Sequence, residues 1–147
     1  MREIKFRAWD KLNKEMFNVE IINFQERRVY KDTVSYRKFE DIELIQYTEL
    51  KDKNNKEIYE GDVVKLVHTG IEISADRLED LKRFVGIIKY ENGIFKIVKT
   101  EKSLIESKYF EMEQKKVSEI FIYSKLYDLE VVGNIYENPE LLKENNN

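Results

Sequence analysis

Cysteine is absent from the 147 residues, and histidine, tryptophan and proline occur once each. Without cysteine there is no disulfide, no thiol nucleophile and no thiolate metal site, and the expected compartment is the reducing cytoplasm. The one histidine, His68, has no G-x-S-x-G or H-E-x-x-H setting to orient it for catalysis, so it is read as structural or exposed at the end of a strand. Glycine numbers only five. Neither G-x-x-x-x-G-K-[ST] nor G-x-G-x-x-G can be written, and no nucleotide cofactor is expected. Long hydrophobic runs are missing too: nothing approaches the ~20 residues of a bilayer span. Met1-Arg2-Glu3 leads directly into an alternating segment, so no signal peptide or membrane association is expected.

What is present is a globular composition under a charged coat. Apolar residues make up 41% and aromatic residues 12%, beside 37% charged residues. A compact domain of this length buries about 70% of its unfolded surface, enough for a real core. The net charge of −3 is unevenly spread, since residues 1–39 hold ten Lys/Arg against six Asp/Glu and the remainder carries −7. That leaves room for a basic face but falls short of the footprint of a dedicated duplex binder.

Period-two alternation marks Arg2–Trp9 as a half-buried strand, with Ile4, Phe6 and Ala8 on one side and Lys5, Arg7 and Trp9 on the other, outward side. A polar turn at Asp10–Lys14 and renewed alternation at Phe17, Val19 and Ile21 predict a hairpin, followed by a short strand near Arg28–Tyr30. No regular element is expected between Lys31 and Asp41. The stretch Leu44–Val67 organises the rest as a strand, a long charged turn and a second strand opening on Gly61-Asp62. Asn92-Gly93 predicts a two-residue type I′ turn, pairing Glu91 with Ile94, Tyr90 with Phe95, Lys89 with Lys96 and Ile88 with Ile97. Tyr90, Phe95, Ile88 and Ile97 should then face the core. Helices are expected within 69–83, where Asp76 and Glu79 resemble a capping box, and over about Leu104–Gln114. Glu119–Tyr123 and Leu129–Tyr136 read as strands, and Asn138-Pro139-Glu140 opens a short terminal helix. The expected fold is mainly β (α+β), an SH3-like small β-barrel with flanking strands and short helical insertions. It forms a single domain, 1–147, divided into N-terminal strands (1–43), a barrel part (44–136, with insertions at 69–83 and 100–126) and a C-terminal helix and tail (137–147).

Three blocks, MREIKFRAWD (Met1–Asp10), QYTELKDKNNKEIYEGDVV (Gln46–Val64) and VGNIYENPELL (Val132–Leu142), resemble the YopX family, small proteins encoded by phages and prophages of mainly Gram-positive bacteria. The matching positions are Trp9, Tyr47, Thr48, Leu50, Asp52, Tyr59, Gly61, Asp62, Gly133, Asn134, Tyr136 and Pro139. The resemblance implies a mostly β fold with an SH3-like part and a phage or prophage setting, and no activity. Glu49 and Asn55 stand where the family usually has glycine. Asn tolerates the left-handed region, whereas Glu49 would be strained there.

The acids Asp52, Glu57, Glu60 and Asp62 could on paper hold Mg²⁺ for a phosphodiesterase or nuclease. Turn chemistry accounts for them more simply, and no metal is expected. Arg7, Trp9, Arg27, Arg28, Lys89 and Lys96 are the residues of a nucleic-acid surface, with rings for bases and cations for phosphates. Against this, a strand tryptophan more often covers a second small core. With no catalytic set assembled, the leading expectation is a non-enzymatic module binding a host or phage macromolecule. Nucleic-acid binding is the alternative, and self-association through exposed strand edges is also expected.

Overall fold

The computed structural model describes residues 1–68, 85–100, 119–121 and 127–142. The expected helices within 69–83 and 104–114 lie outside these residues. Among the described residues twelve strands are formed: β1 Phe6–Asp10, β2 Glu15–Asn18, β3 Ile21–Asn23, β4 Arg28–Tyr30, β5 Tyr36–Lys38, β6 Ile42–Lys51, β7 Glu57–Tyr59, β8 Asp62–His68, β9 Val85–Glu91, β10 Ile94–Lys99, β11 Glu119–Phe121 and β12 Tyr127–Asn134. They build a four-stranded sheet in the order β2-β1-β6-β7, a five-stranded sheet β11-β10-β9-β8-β12 and a three-stranded sheet β3-β4-β5. The fold is mainly β, with a sheet curled into a half-barrel. No helix among the described residues is long and apolar enough to cross a membrane.

The alternation read from Arg2–Trp9 has a physical outcome on both sides of β1. Ala8 joins Val29 and Ile42 in a core between the four-stranded and three-stranded sheets, with Phe17, Val19 and Ile22 packed around them. The opposite side is a second core and not an outer surface. There Ile45, Tyr47 and Tyr59 are buried with Trp9, Met16 and Tyr136 against them, and the Trp9 and Tyr136 rings stack 5.8 Å apart. Trp9 is therefore a cover for a small core, its partner coming from the last family block. A third core, inside the five-stranded sheet, holds Ile58, Val64, Leu66, Ile88, Phe95, Ile97 and Leu129.

β7 joins these cores. Its alternation sends Ile58 into the five-stranded sheet and Tyr59 into the second core, while its ladder partner is β6. The expected barrel part is consequently divided, with β6 and β7 beside β1 and the larger sheet beginning at β8. Gly61, at φ +81°, turns the chain between the two sheets. Its amide donates to the Ile88 carbonyl (2.8 Å) and its carbonyl accepts from the Ile135 amide (2.9 Å). A Cβ there would lie 3.1 Å from the Tyr136 ring in a conformation L residues avoid, so glycine is required twice over.

The β9–β10 hairpin has the expected register, with Asn92 and Gly93 both at positive φ. Tyr90 departs from expectation: it is 48% exposed and lies across Phe95, their centroids 5.0 Å apart, shielding that ring from outside the core. Between Lys31 and Asp41, where no element was expected, β5 pairs with β4 and a 3₁₀ turn spans Phe39–Asp41. Tertiary bonds that leave no local pattern hold this segment: Arg37 Nε donates to Asp10, and the Phe39 amide to the Arg27 carbonyl at 3.0 Å. The expected terminal helix is a single 3₁₀ turn, Pro139–Leu142. Asn138 does not cap it conventionally, because its Oδ1 accepts instead from the Asn134 amide at 3.3 Å.

Glu49 and Asn55 both occupy the left-handed region, at φ +68° and +65°. Glu49 sits where the β6–β7 register shifts between Tyr47 and Lys51, the bulge position that favours glycine. The neighbouring Thr48 hydroxyl takes over ladder bonding there, donating to the Ile58 carbonyl (2.7 Å) and accepting from the Leu50 amide (3.2 Å). Glu49→Gly should stabilise the protein by about 1 kcal/mol, because left-handed backbone costs a side-chain-bearing residue that order of energy. The lost Arg2–Glu49 pair, 3.1 Å but solvent-exposed, offsets little. Urea unfolding would measure the shift, and an unchanged or lowered midpoint would remove the bulge explanation.

Candidate functional site

The acids of the central block are each committed to the fold. Asp52 Oδ1 accepts the Asn54 and Lys56 amides at 2.8 and 2.9 Å, and its Oδ2 accepts the Val131 amide at 3.0 Å. Burial works to raise its pKa, but these amides prevail and hold the carboxyl below its ordinary value. It therefore pins the charged turn onto β12, at the bulge between Val131 and Gly133. Asp62, almost fully buried, accepts from Arg7 Nη2 (2.9 Å) and from the Tyr59 amide (2.8 Å). Burial raises its pKa against the opposing effect of those bonds. Glu60 is likewise raised by burial. Among the described residues no three acids or imidazoles are grouped as a metal ion would need.

Beside this junction lies an open groove of about 520 Å³. Its apolar floor includes Phe6, Val19 and Ile22, and one wall carries Lys5, Glu57 and Tyr59. The wall is internally paired. Glu57 accepts from Lys5 through one oxygen and from the Tyr59 hydroxyl (2.8 Å) through the other, and Lys5 also meets Glu3 at 2.6 Å. The Lys5 pKa is raised, first by its bond to Glu3 and then by Glu57. Glu57 is lowered, chiefly by Lys5. Burial, then the bond to Glu57, raises the Tyr59 hydroxyl. Each shift moves a pKa further from neutral pH, opposite to the tuning that general acid–base work favours.

The six residues read as a nucleic-acid surface do not converge. Arg7 is mostly buried, bonded to Asp62, with its guanidinium 3.9 Å from the Tyr59 ring centre. Trp9 is stacked on Tyr136. Lys89 and Lys96 oppose each other on β9 and β10, with Lys96 Nζ 3.9 Å from Glu91. Arg27 lies in the β3–β4 turn over the Phe39 ring, and Arg28 belongs to the three-stranded sheet, where the register sets Ile21, Tyr30 and Tyr36 in one cross-strand row and Asn23, Arg28 and Lys38 in another. The intervening row, Ile22, Val29 and Arg37, faces the four-stranded sheet, so the other two rows face outward. Arg28 lies over the Tyr36 ring at 4.2 Å, and the Tyr30 and Tyr36 centroids are 5.7 Å apart. Tyr36 and Lys38 are additions that sequence reading missed. Their signal was the alternation Tyr36-Arg37-Lys38, too short to register as a strand.

Trp9, Tyr47, Tyr59, Gly61, Asp62 and Tyr136, with Asp52 reaching β12, thus build the joint between two sheets of a mainly β protein. The chain belongs to the YopX family, whose model, described as YopX protein, matches residues 5–143. Among solved structures it resembles protein EF1440 from Enterococcus faecalis, with 28% identity, 97% of this chain and 100% of that one covered, and a TM-score of 0.60. It also resembles protein yopX from Bacillus subtilis, with 19% identity, 95% and 98% coverage and a TM-score of 0.56, a likeness of fold. No curated protein matches it.

Proposed function

We propose that this chain is a phage- or prophage-encoded, non-enzymatic module that binds a macromolecule in the host cytoplasm. The observation that carries this reading is a contrast. Lys5, Glu57 and the Tyr59 hydroxyl in the groove, and the Asp52 and Asp62 carboxylates of the central block, are paired within the protein, whereas the three-stranded sheet turns aromatic, apolar and cationic side chains outward. A catalytic site needs groups free to exchange protons or ligands, and a binding face needs exposed ones. The order β11-β10-β9-β8-β12, a meander whose last strand returns beside its first, further supports an SH3-like reading of the larger sheet. Immobilised protein is expected to retain one macromolecule, saturably and at fixed stoichiometry, from lysate of a phage-bearing Gram-positive host. Turnover of a defined phosphodiester by the purified protein, with or without Mg²⁺, would overturn the proposal.

A further inference from the structure

We infer that the outward face of the three-stranded sheet β3-β4-β5 is a stacking platform for a short run of single-stranded nucleic acid. This rests on the binding-module reading and names its surface and the chemistry of its partner. Ile21 and Tyr36, in one outward row, are 47% and 41% exposed. Apolar area of this kind, on a face whose reverse side already packs a core, offers contact without being needed for the fold.

The polar groups on the same face select the partner. Arg28 and Lys38 are directly opposite one another, and Lys38 keeps a side chain 58% exposed, with Glu40 at 3.9 Å the carboxylate nearest to it. Arg28 spreads over Tyr36, and Tyr36 leans on Tyr30, so ring and guanidinium planes alternate along one surface. Bases stack on both kinds of plane, and phosphates pair with the flanking cations. The acid touching this array is Glu26, which accepts the Tyr30 hydroxyl at 3.2 Å and lies 3.5 Å from Arg28, holding the ring and the guanidinium in place.

A duplex is disfavoured, since a flat sheet face presents no element to enter a groove. An acidic peptide is disfavoured because Arg28 and Lys38 are few cations, so the rings must supply much of the affinity. Two phosphate contacts imply a shallow salt dependence, with a log–log slope of about −1.4 for a single strand.

The test is fluorescence anisotropy at low salt with three labelled decamers: deoxythymidine, uridine and an abasic deoxyribose strand with the same phosphates. The thymidine or uridine strand is expected to bind, and the abasic strand about tenfold or more weaker. Tyr36→Ala should weaken binding about tenfold. Lys38→Glu, at an exposed position that leaves the fold intact, should weaken it and flatten the salt slope, while Lys89→Glu on β9 should change neither. The assignment is overturned if neither base-bearing strand is retained, if the abasic strand binds equally, if polyglutamate competes as well as thymidine, or if Lys89→Glu alone abolishes binding. Saturable capture of another macromolecule without oligonucleotide binding would sink this assignment and leave the broader reading standing, whereas a chain that captures nothing sinks both.

Discussion

Arg7→Ala is expected to destabilise the protein by about 3–5 kcal/mol at neutral pH, because it strands the Asp62 carboxylate in the joint without its cation. Asp62 has a side chain only 2% exposed and keeps the Tyr59 amide as its remaining donor. The guanidinium also covers the Tyr59 ring, so packing is lost along with charge. The pH dependence has a definite sign. Burial raises the Asp62 pKa above its unfolded value. A carboxyl shifted this way adds stability below its unfolded pKa and withdraws it as pH rises through the folded one. Without Arg7 the folded value rises further. The deficit relative to wild type should therefore be widest at neutral pH and narrow on acidification, as Asp62 takes up a proton. Urea unfolding of both proteins over that range would read it, and a deficit below about 1 kcal/mol, or one independent of pH, would refute the pairing as a structural element.

Asp10→Ala should be of similar size, about 3–5 kcal/mol, and its deficit should also narrow in acid, here because a carboxyl with a lowered pKa has been removed. Asp10 is fully buried, and its carboxylate accepts the Leu12 and Asn13 amides at 2.9 and 3.0 Å, the Asn13 side chain at 2.8 Å and Arg37 Nε. Those bonds close the first hairpin and moor β5 to β1. Burial pushes the Asp10 pKa up, but the bonds from Asn13, Arg37 and Leu12 outweigh it and leave the carboxyl well below the usual range. Its contribution is present above the unfolded carboxylate pKa and lost as pH falls through the folded value. Wild type should thus lose stability in acid faster than the variant, and the gap should shrink. Thermal unfolding at about pH 7 and about pH 3 checks this, and a constant gap would show that charge is not what Asp10 supplies.

Elements with their own periodicity or turn chemistry were legible in the chain. The β9–β10 register followed from Asn92-Gly93 because a two-residue turn leaves one way to count outward. The division of β1 into two faces followed from alternation, but not that the Arg7 and Trp9 face is a second core, and the glycine-like backbone of Glu49 and Asn55 followed from the family wording. What stayed hidden is determined at a distance. β5 spans three residues and exists because Arg37 finds Asp10, 27 residues earlier in the chain. Arg7 looked like a surface cation because nothing near residue 7 announces Asp62, 55 residues on. For the candidate face, Arg27, Arg28 and Tyr30 were readable as an aromatic and basic cluster. Its membership was not: Tyr36 and Lys38 enter through strand pairing, and Trp9 leaves through stacking on Tyr136.

The bond from Asp52 to the Val131 amide crosses 79 residues of chain and closes the same joint that Arg7 and Asp62 close from the other end. Every family-block carboxylate that takes part is used up in doing so. In this chain the joint is thus latched at both ends by carboxylates with no capacity left over, and a substitution on the outward side of β3-β4-β5 leaves both latches untouched.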